Sequence, residues 1–128
     1  MSKDFIKLHP RVSGGLEAFI RGDFYEAHEC FEDAWRETSD ESREFYRALL
    51  HLSGGFYRLT QNRPEAARKF FSHAHRWLAL FPTPYHGVDI GRLQEYVLRL
   101  IDVINKDPDS VKIRTYQANL IELLTQLE

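Results

Sequence analysis

Within "GDFYEAHECFEDAW", residues 22–35, one histidine and two glutamates, His28, Glu29 and Glu32, stand among aromatic rings and alanines. His28 and Glu32 are four residues apart, so a helix stacks them on one face. An imidazole beside a carboxylate can move a proton, bind a small polar ligand or hold a metal ion. Phe24, Phe31 and Trp35 bracket the pair, so that face borders an apolar core. Glu29 sits a third of a turn further round, nearer solvent. A purely structural reading explains the same letters. His28 then bonds Glu32, and Glu32 pairs with Arg36, an exposed arrangement worth only ~0.3–0.5 kcal/mol.

His51 is the second candidate, in "ALLHLSGGFY", with Tyr57 close behind it. Its own segment offers no carboxylate at turn spacing. An unpartnered buried imidazole costs roughly 1–3 kcal/mol, so Glu29 or Glu32 from the preceding helix is the expected partner. His73 and His75 are two apart and face different sides; each reads as a boundary residue. His9 and His86 neighbour prolines and read as surface residues. The "H-E-x-x-E" of His28–Glu32 differs from the zinc pattern H-E-x-x-H in its last residue. His28, Glu32 and His51 supply mixed metal ligands only if they converge. No metal or other cofactor is therefore assigned. Cys30 lies off the His28 face, and no glycine loop of the phosphate-binding type is present.

The elements that must position these residues are helices, because apolar residues recur with helical period nearly throughout. Val12, Leu16, Phe19 and Ile20 mark the first, with Pro10 in its first turn and Gly22 as its cap. Asp23 and Glu26 form a capping-box pattern for the second, striped by Phe24, Ala27, Phe31, Ala34 and Trp35. Phe45, Leu49, Leu52, Phe56 and Leu59 define a third over about 41–61. Gly54-Gly55 in its middle costs ~1 kcal/mol per glycine against alanine, which close approach of a neighbouring helix would offset. Asn62 and Glu65 predict the start of a fourth helix, with a broad apolar face from Ala66 to Phe81. Asp89 caps a fifth, striped by Leu93, Val97, Leu100, Ile101 and Ile104. A short sixth is expected in the tail, although "SVKIRTY" before it alternates and can also be extended.

Strand and hairpin signals are few. The fold class is therefore all-α, a compact bundle of five to six mostly antiparallel helices with its core in helices two, three and four. Residues 1–106 are expected to form the bundle domain. Residues 107–128 form a C-terminal tail that packs on the bundle or on another subunit. "DFYEAHECF" and "NRPEAARKF" echo each other at an offset of 39, against the period of 34 that a tetratricopeptide repeat requires.

The 128 residues fit one domain. A net charge of −2 offers no basic footprint for nucleic acid. No apolar run approaches the roughly 20 residues of a membrane span, and the first ten residues do not read as a secretory leader. The single cysteine excludes an intrachain disulfide and suits a reducing cytosol. The expectation is a cytoplasmic protein with no membrane or nucleic-acid partner.

"GDFYEAHECFEDAWRE", "FYRALLHLSGGFYRLTQNRPEAARKFF" and "PYHGVDIGRL" together resemble the helical family known as domain of unknown function 309. The matching positions are His28, Glu29, Glu32 and Trp35, then His51, Ser53, Gly54, Gly55 and Tyr57, then Asn62 to Ala66. The resemblance covers roughly residues 10–105. At the position of His51 the family pattern has Gln more often, so a shared role that needs an imidazole there is not implied. The resemblance implies a small helical bundle and no established reaction. Three functions stay open. One is a binding or assembly module for an unknown protein or small molecule, with a polar pocket of His28, Glu29, Glu32, Trp35, His51 and Tyr57 beside an aromatic core; a tetratricopeptide-like adaptor is its narrower form. The second is a metal-assisted hydrolase using His28, Glu32 and His51. The third is a homo-oligomer joined through the leucines of the tail.

Overall fold

The computed structural model describes residues 7–128. Residues 1–6, where the predicted 1–106 unit begins and the leader expectation falls, lie outside the described residues. Six α-helices follow one another: α1 (Arg11–Arg21), α2 (Phe24–Glu37), α3 (Arg43–Thr60), α4 (Pro64–Leu78), α5 (Ile90–Lys106) and α6 (Ile113–Leu124). A 3-10 turn, Pro108–Ser110, separates the last two. No strand occurs among the described residues; Tyr85 and Val88 form one isolated bridge.

Local chemistry sets the helix ends. Gly22 adopts φ 82°, a left-handed conformation that glycine enters without steric cost, and closes α1. Asp23 Oδ1 accepts the Glu26 N–H at 3.1 Å and starts α2. The reciprocal half of that capping box is replaced: the Glu26 carboxylate instead accepts the Cys30 thiol at 3.7 Å. Asp89 Oδ1 accepts the Arg92 N–H at 3.0 Å and starts α5. Asn62 does not cap α4. It takes φ 58° and ends α3, since asparagine tolerates the left-handed region, and Arg63 becomes the N-cap without a side-chain bond. The alternating stretch before the tail turns helical at Ile113.

Each helix from α1 to α5 packs mainly on its neighbours in the chain, most heavily α2 on α3 and α3 on α4. Short connections make such neighbours antiparallel. The bundle is compact, with α2, α3 and α4 at its centre. Phe19 of α1, Phe24 of α2 and Phe56 of α3 meet pairwise with ring centroids 5.2–5.4 Å apart. Phe71 of α4 joins Phe56 at 5.3 Å. Full burial of such a ring contributes about 1.5–3 kcal/mol.

Glycines let these rings in. A Cβ on Gly15 would stand 2.6 Å from the Phe31 ring, and one on Gly55 would stand 2.6 Å from the Phe71 ring. The tail also enters the core. Leu120, Leu123 and Leu124 are buried, and Gln117 Nε2 donates to Phe19 O at 2.8 Å. The leucines that motivated an intersubunit tail are thus covered by this chain's own bundle.

The echo at offset 39 maps to the starts of α2 and α4, the two helices flanking α3. Its paired positions differ in environment: Phe31 is fully buried, whereas Phe70 is half-exposed.

Candidate functional site

The outward side of α3 forms the floor of the candidate site. Arg43, Arg47, His51, Gly54 and Arg58 follow at i, i+4, i+8, i+11 and i+15, which is one helical face. α2 and α4 rise on either side. The glycine brings the two walls together: a Cβ on Gly54 would lie 2.8 Å from Phe70 of α4 and 3.4 Å from the His28 ring of α2.

Cations and rings organise the face. Arg43 and Arg47 lie over Trp35, at 4.7 and 4.9 Å from the ring centroid. Arg47 also lies 4.3 Å from the Trp77 centroid. Arg58 covers Phe70 at 4.2 Å and reaches Tyr57 at 5.7 Å. Each such contact contributes about 0.5–1 kcal/mol at a solvated surface. Glu44 pairs with both Arg43, at 2.9 Å, and Arg47, at 3.0 Å, so one carboxylate is shared by the two guanidiniums on Trp35.

The predicted residues share this face without converging on one point. Glu32 Oε1 takes Arg36 at 2.8 Å, while its other oxygen stands 4.0 Å from His28 Nε2, too far for a hydrogen bond. Glu29 lies near Tyr25, and its charge is the main cause of the raised pKa of that phenol. Tyr57 packs its ring on Tyr25 at 5.5 Å. Neither Glu29 nor Glu32 meets His51, contrary to expectation. The His51 ring instead lies against Phe70 at 5.6 Å and stacks on His73 at 5.4 Å with an interplanar angle of 27°.

This geometry bears on metal chemistry. Stacked imidazoles present their faces to each other rather than aiming two nitrogens at one ion. Among the described residues no group of three His, Cys, Asp or Glu side chains is placed to hold a metal. The convergence that the hydrolase reading requires of His28, Glu32 and His51 is not formed.

Burial controls the titration of the two histidines. His51 is pushed down to about 4, first by desolvation and then by His73, Arg47 and His28. His28 is also lowered by desolvation, against the opposing pull of Glu32 and Glu29. A neutral His51 then leaves its Nδ1 buried with no hydrogen-bond partner among the described residues, and Trp35 Nε1 is buried without one too.

Two histidines read as surface residues are embedded instead. His9 accepts the Arg11 N–H on Nδ1 at 3.0 Å, so Nε2 carries the proton it gives to Glu37 at 2.7 Å. Its backbone N–H donates to Tyr46 Oη at 2.8 Å. His86 Nδ1 donates to Glu128 O at 3.1 Å, which leaves Nε2 to accept from Ser42 Oγ at 3.3 Å. Tyr85 Oη stands 3.0 Å from the same hydroxyl. Ser42 is completely buried, so this serine–histidine pair ties α3 to the loop before α5 and offers no nucleophile to a substrate. Asp40-Glu41-Ser42 in the α2–α3 loop and His86 are more than forty residues apart, and no local spacing signals their meeting.

Residues 12–70 match the model of the family described as domain of unknown function 309. The match runs from α1 into α4 and contains His28, Glu29, Glu32, Trp35, His51 and Tyr57; "PYHGVDIGRL", α5 and α6 lie beyond it. An uncharacterized protein of Aquifex aeolicus (strain VF5) is 27% identical over 81 residues, covering 62% of this chain. The chain matches about a quarter of that relative's length, 24%. No solved structure matches the chain.

Proposed function

We propose that the stretch resembling domain of unknown function 309 carries a non-enzymatic recognition surface, the α2–α3–α4 face, in a cytoplasmic helical module. Its partner is a protein segment or small molecule that presents oxygen acceptors. One observation carries the reading: Trp35 Nε1 and His51 Nδ1, on the same face, are buried and have no hydrogen-bond partner among the described residues. Each such group costs about 1–3 kcal/mol when left unpaired. An acceptor that reaches the indole N–H removes that cost on binding and not before. Arg43, Arg47 and Arg58, already fixed on aromatic rings, lose little side-chain freedom when a partner arrives.

Both tryptophans of the chain, Trp35 and Trp77, contact Arg47 on this face. Intrinsic tryptophan emission therefore reports the face directly. A His28→Leu/Glu32→Met variant of the whole chain is expected to keep its urea midpoint while a purified partner no longer shifts the emission. Loss of folding in that variant makes the pair structural instead. Trp35→Phe separates the cases further, because it keeps an aromatic ring beneath Arg43 and Arg47 and removes the indole N–H with its five-membered ring. The variant is expected to stay folded, losing no more than about 2 kcal/mol in urea denaturation, and to bind at least five-fold more weakly.

A tetratricopeptide-like peptide adaptor is the narrower form of this reading, supported by the packing of α1 to α5 in chain order. No membrane partner is included. No helix among the described residues is long and apolar enough to cross a bilayer.

A further inference from the structure

α5 and α6 splay apart to leave a cleft of about 740 Å³, within the range of small-ligand sites, roughly 300–1,000 Å³. It lies outside the residues matched to the family and away from the α2–α3–α4 face. Its wall is aromatic. Tyr96 and Tyr116 meet edge to face at 5.8 Å, and Asn119 Nδ2 donates to Tyr96 Oη, which fixes that ring.

The charges of the cleft are mixed, with cations in excess. Helical rise separates Arg92 from Arg99 by about 10 Å. The α5–α6 turn brings Lys112 and Thr115 toward Arg99, while Glu95 stands one turn before Arg99 on α5 and Arg92 and Glu122 also line the cleft. Among the described residues neither Arg99 nor Lys112 has an ion pair, and the nearby Asp102 is paired with Lys106 at 3.1 Å. The cleft therefore holds three cations against two carboxylates beside an aromatic wall, with Arg99 and Lys112 paired to neither carboxylate among the described residues.

We propose that the α5–α6 cleft binds a small phosphomonoester that carries a flat ring. The phosphate sits between Arg99 and Lys112, with Thr115 Oγ1 donating a hydrogen bond. The ring lies along Tyr96 and Tyr116, and the free carbonyl oxygen of Asn119 accepts from a ring N–H or O–H. A planar guanidinium binds a phosphate through two parallel N–H bonds, and a lysine beside it adds a second point charge. Two cations match a phosphomonoester dianion better than a carboxylate, which carries one charge.

The test is an amide chemical-shift titration of the whole chain with adenosine 5′-monophosphate and with phenyl phosphate. Adenosine and inorganic phosphate are the controls. At least one phosphomonoester is expected to give saturable shifts centred on Thr115, Tyr116 and Asn119. Adenosine and inorganic phosphate should each bind at least ten-fold more weakly. An Arg99→Ala/Lys112→Ala variant, with both changes on exposed positions, should keep its helix content and lose at least ten-fold in affinity. Absence of shifts with both phosphomonoesters overturns the proposal. So does equal binding of inorganic phosphate, and so does undiminished binding in the double variant.

Discussion

On the α2–α3–α4 face, Arg43 and Arg47 lie on Trp35 and share the carboxylate of Glu44, whereas in the α5–α6 cleft Arg99 and Lys112 have no carboxylate partner among the described residues. The first region is assembled by close approach. Gly54 brings α2 and α4 side chains into contact over α3, and the polar atoms of His51 and Trp35 lose their water in the process. The second is an opening between two helices, and its cations stay hydrated. Cations beside rings thus serve two ends. Paired and packed, they hold a surface in shape; unpaired and open, they keep their charge for a ligand. Salt should separate the two: screening weakens the contact of an exposed cation with an anion and leaves a desolvated N–H bond largely untouched.

The comparison assumes that α6 is a firm wall, and the largest predicted effect tests this. Leu124, 1% exposed, should cost about 2–5 kcal/mol when changed to alanine. Urea denaturation measures the change, and a loss below about 1 kcal/mol would make α6 a loosely attached tail. Next comes the close approach behind the opposite face. Gly55→Ala drives a Cβ to 2.6 Å from the fully buried Phe71 ring and should cost about 1–3 kcal/mol. An unchanged midpoint would show that α3 and α4 yield easily.

The third effect concerns pH. His51 titrates near its ordinary 6.5 in the unfolded chain and at about 4 in the folded one, so between these values the unfolded state binds more protons. The stability contributed by neutral His51 is complete above pH 6.5 and is lost as pH falls toward 4. His51→Gln should keep stability at pH 7 and flatten this part of the profile, as measured by urea midpoints from pH 7.5 to 4. Equal slopes in the two proteins would show that His51 is solvated. The smallest effect belongs to the cleft: Arg99→Ala/Lys112→Ala should change stability by no more than about 0.5 kcal/mol, because exposed unpaired cations hold nothing together. A larger loss would place these cations among the structural ones, with Arg43 and Arg47.

The helices were readable because their signals are local. Asp23 and Asp89 each bond an amide three residues on, and Gly22 needs only its own φ. Asn62 misled for a local reason also, since an asparagine after a helix can close it as readily as it can open the next. The helices that carry the candidate residues were readable, because His28, Glu29, Glu32 and Trp35 fall in α2 and His51 and Tyr57 in α3. The pairing of those residues was not. The ring against which His51 stacks proved to be that of His73, a residue that read mainly as a boundary position, while His9 and His86 found partners 28 to 44 residues away.

By itself the sequence determined the all-α class, the order of the helices and the faces they bury, since apolar periodicity and capping act within a few residues. Only the tertiary structure decided that His51 stacks on His73, that Glu32 turns to Arg36 and that α5 and α6 stand apart around two unpaired cations. The physical reason is rotational. Each residue advances a helix by about 100°, so a small change in how two helices face each other exchanges one set of contacts for another. Which rotation wins depends on packing across the whole bundle, on Gly54 and Gly55 above all.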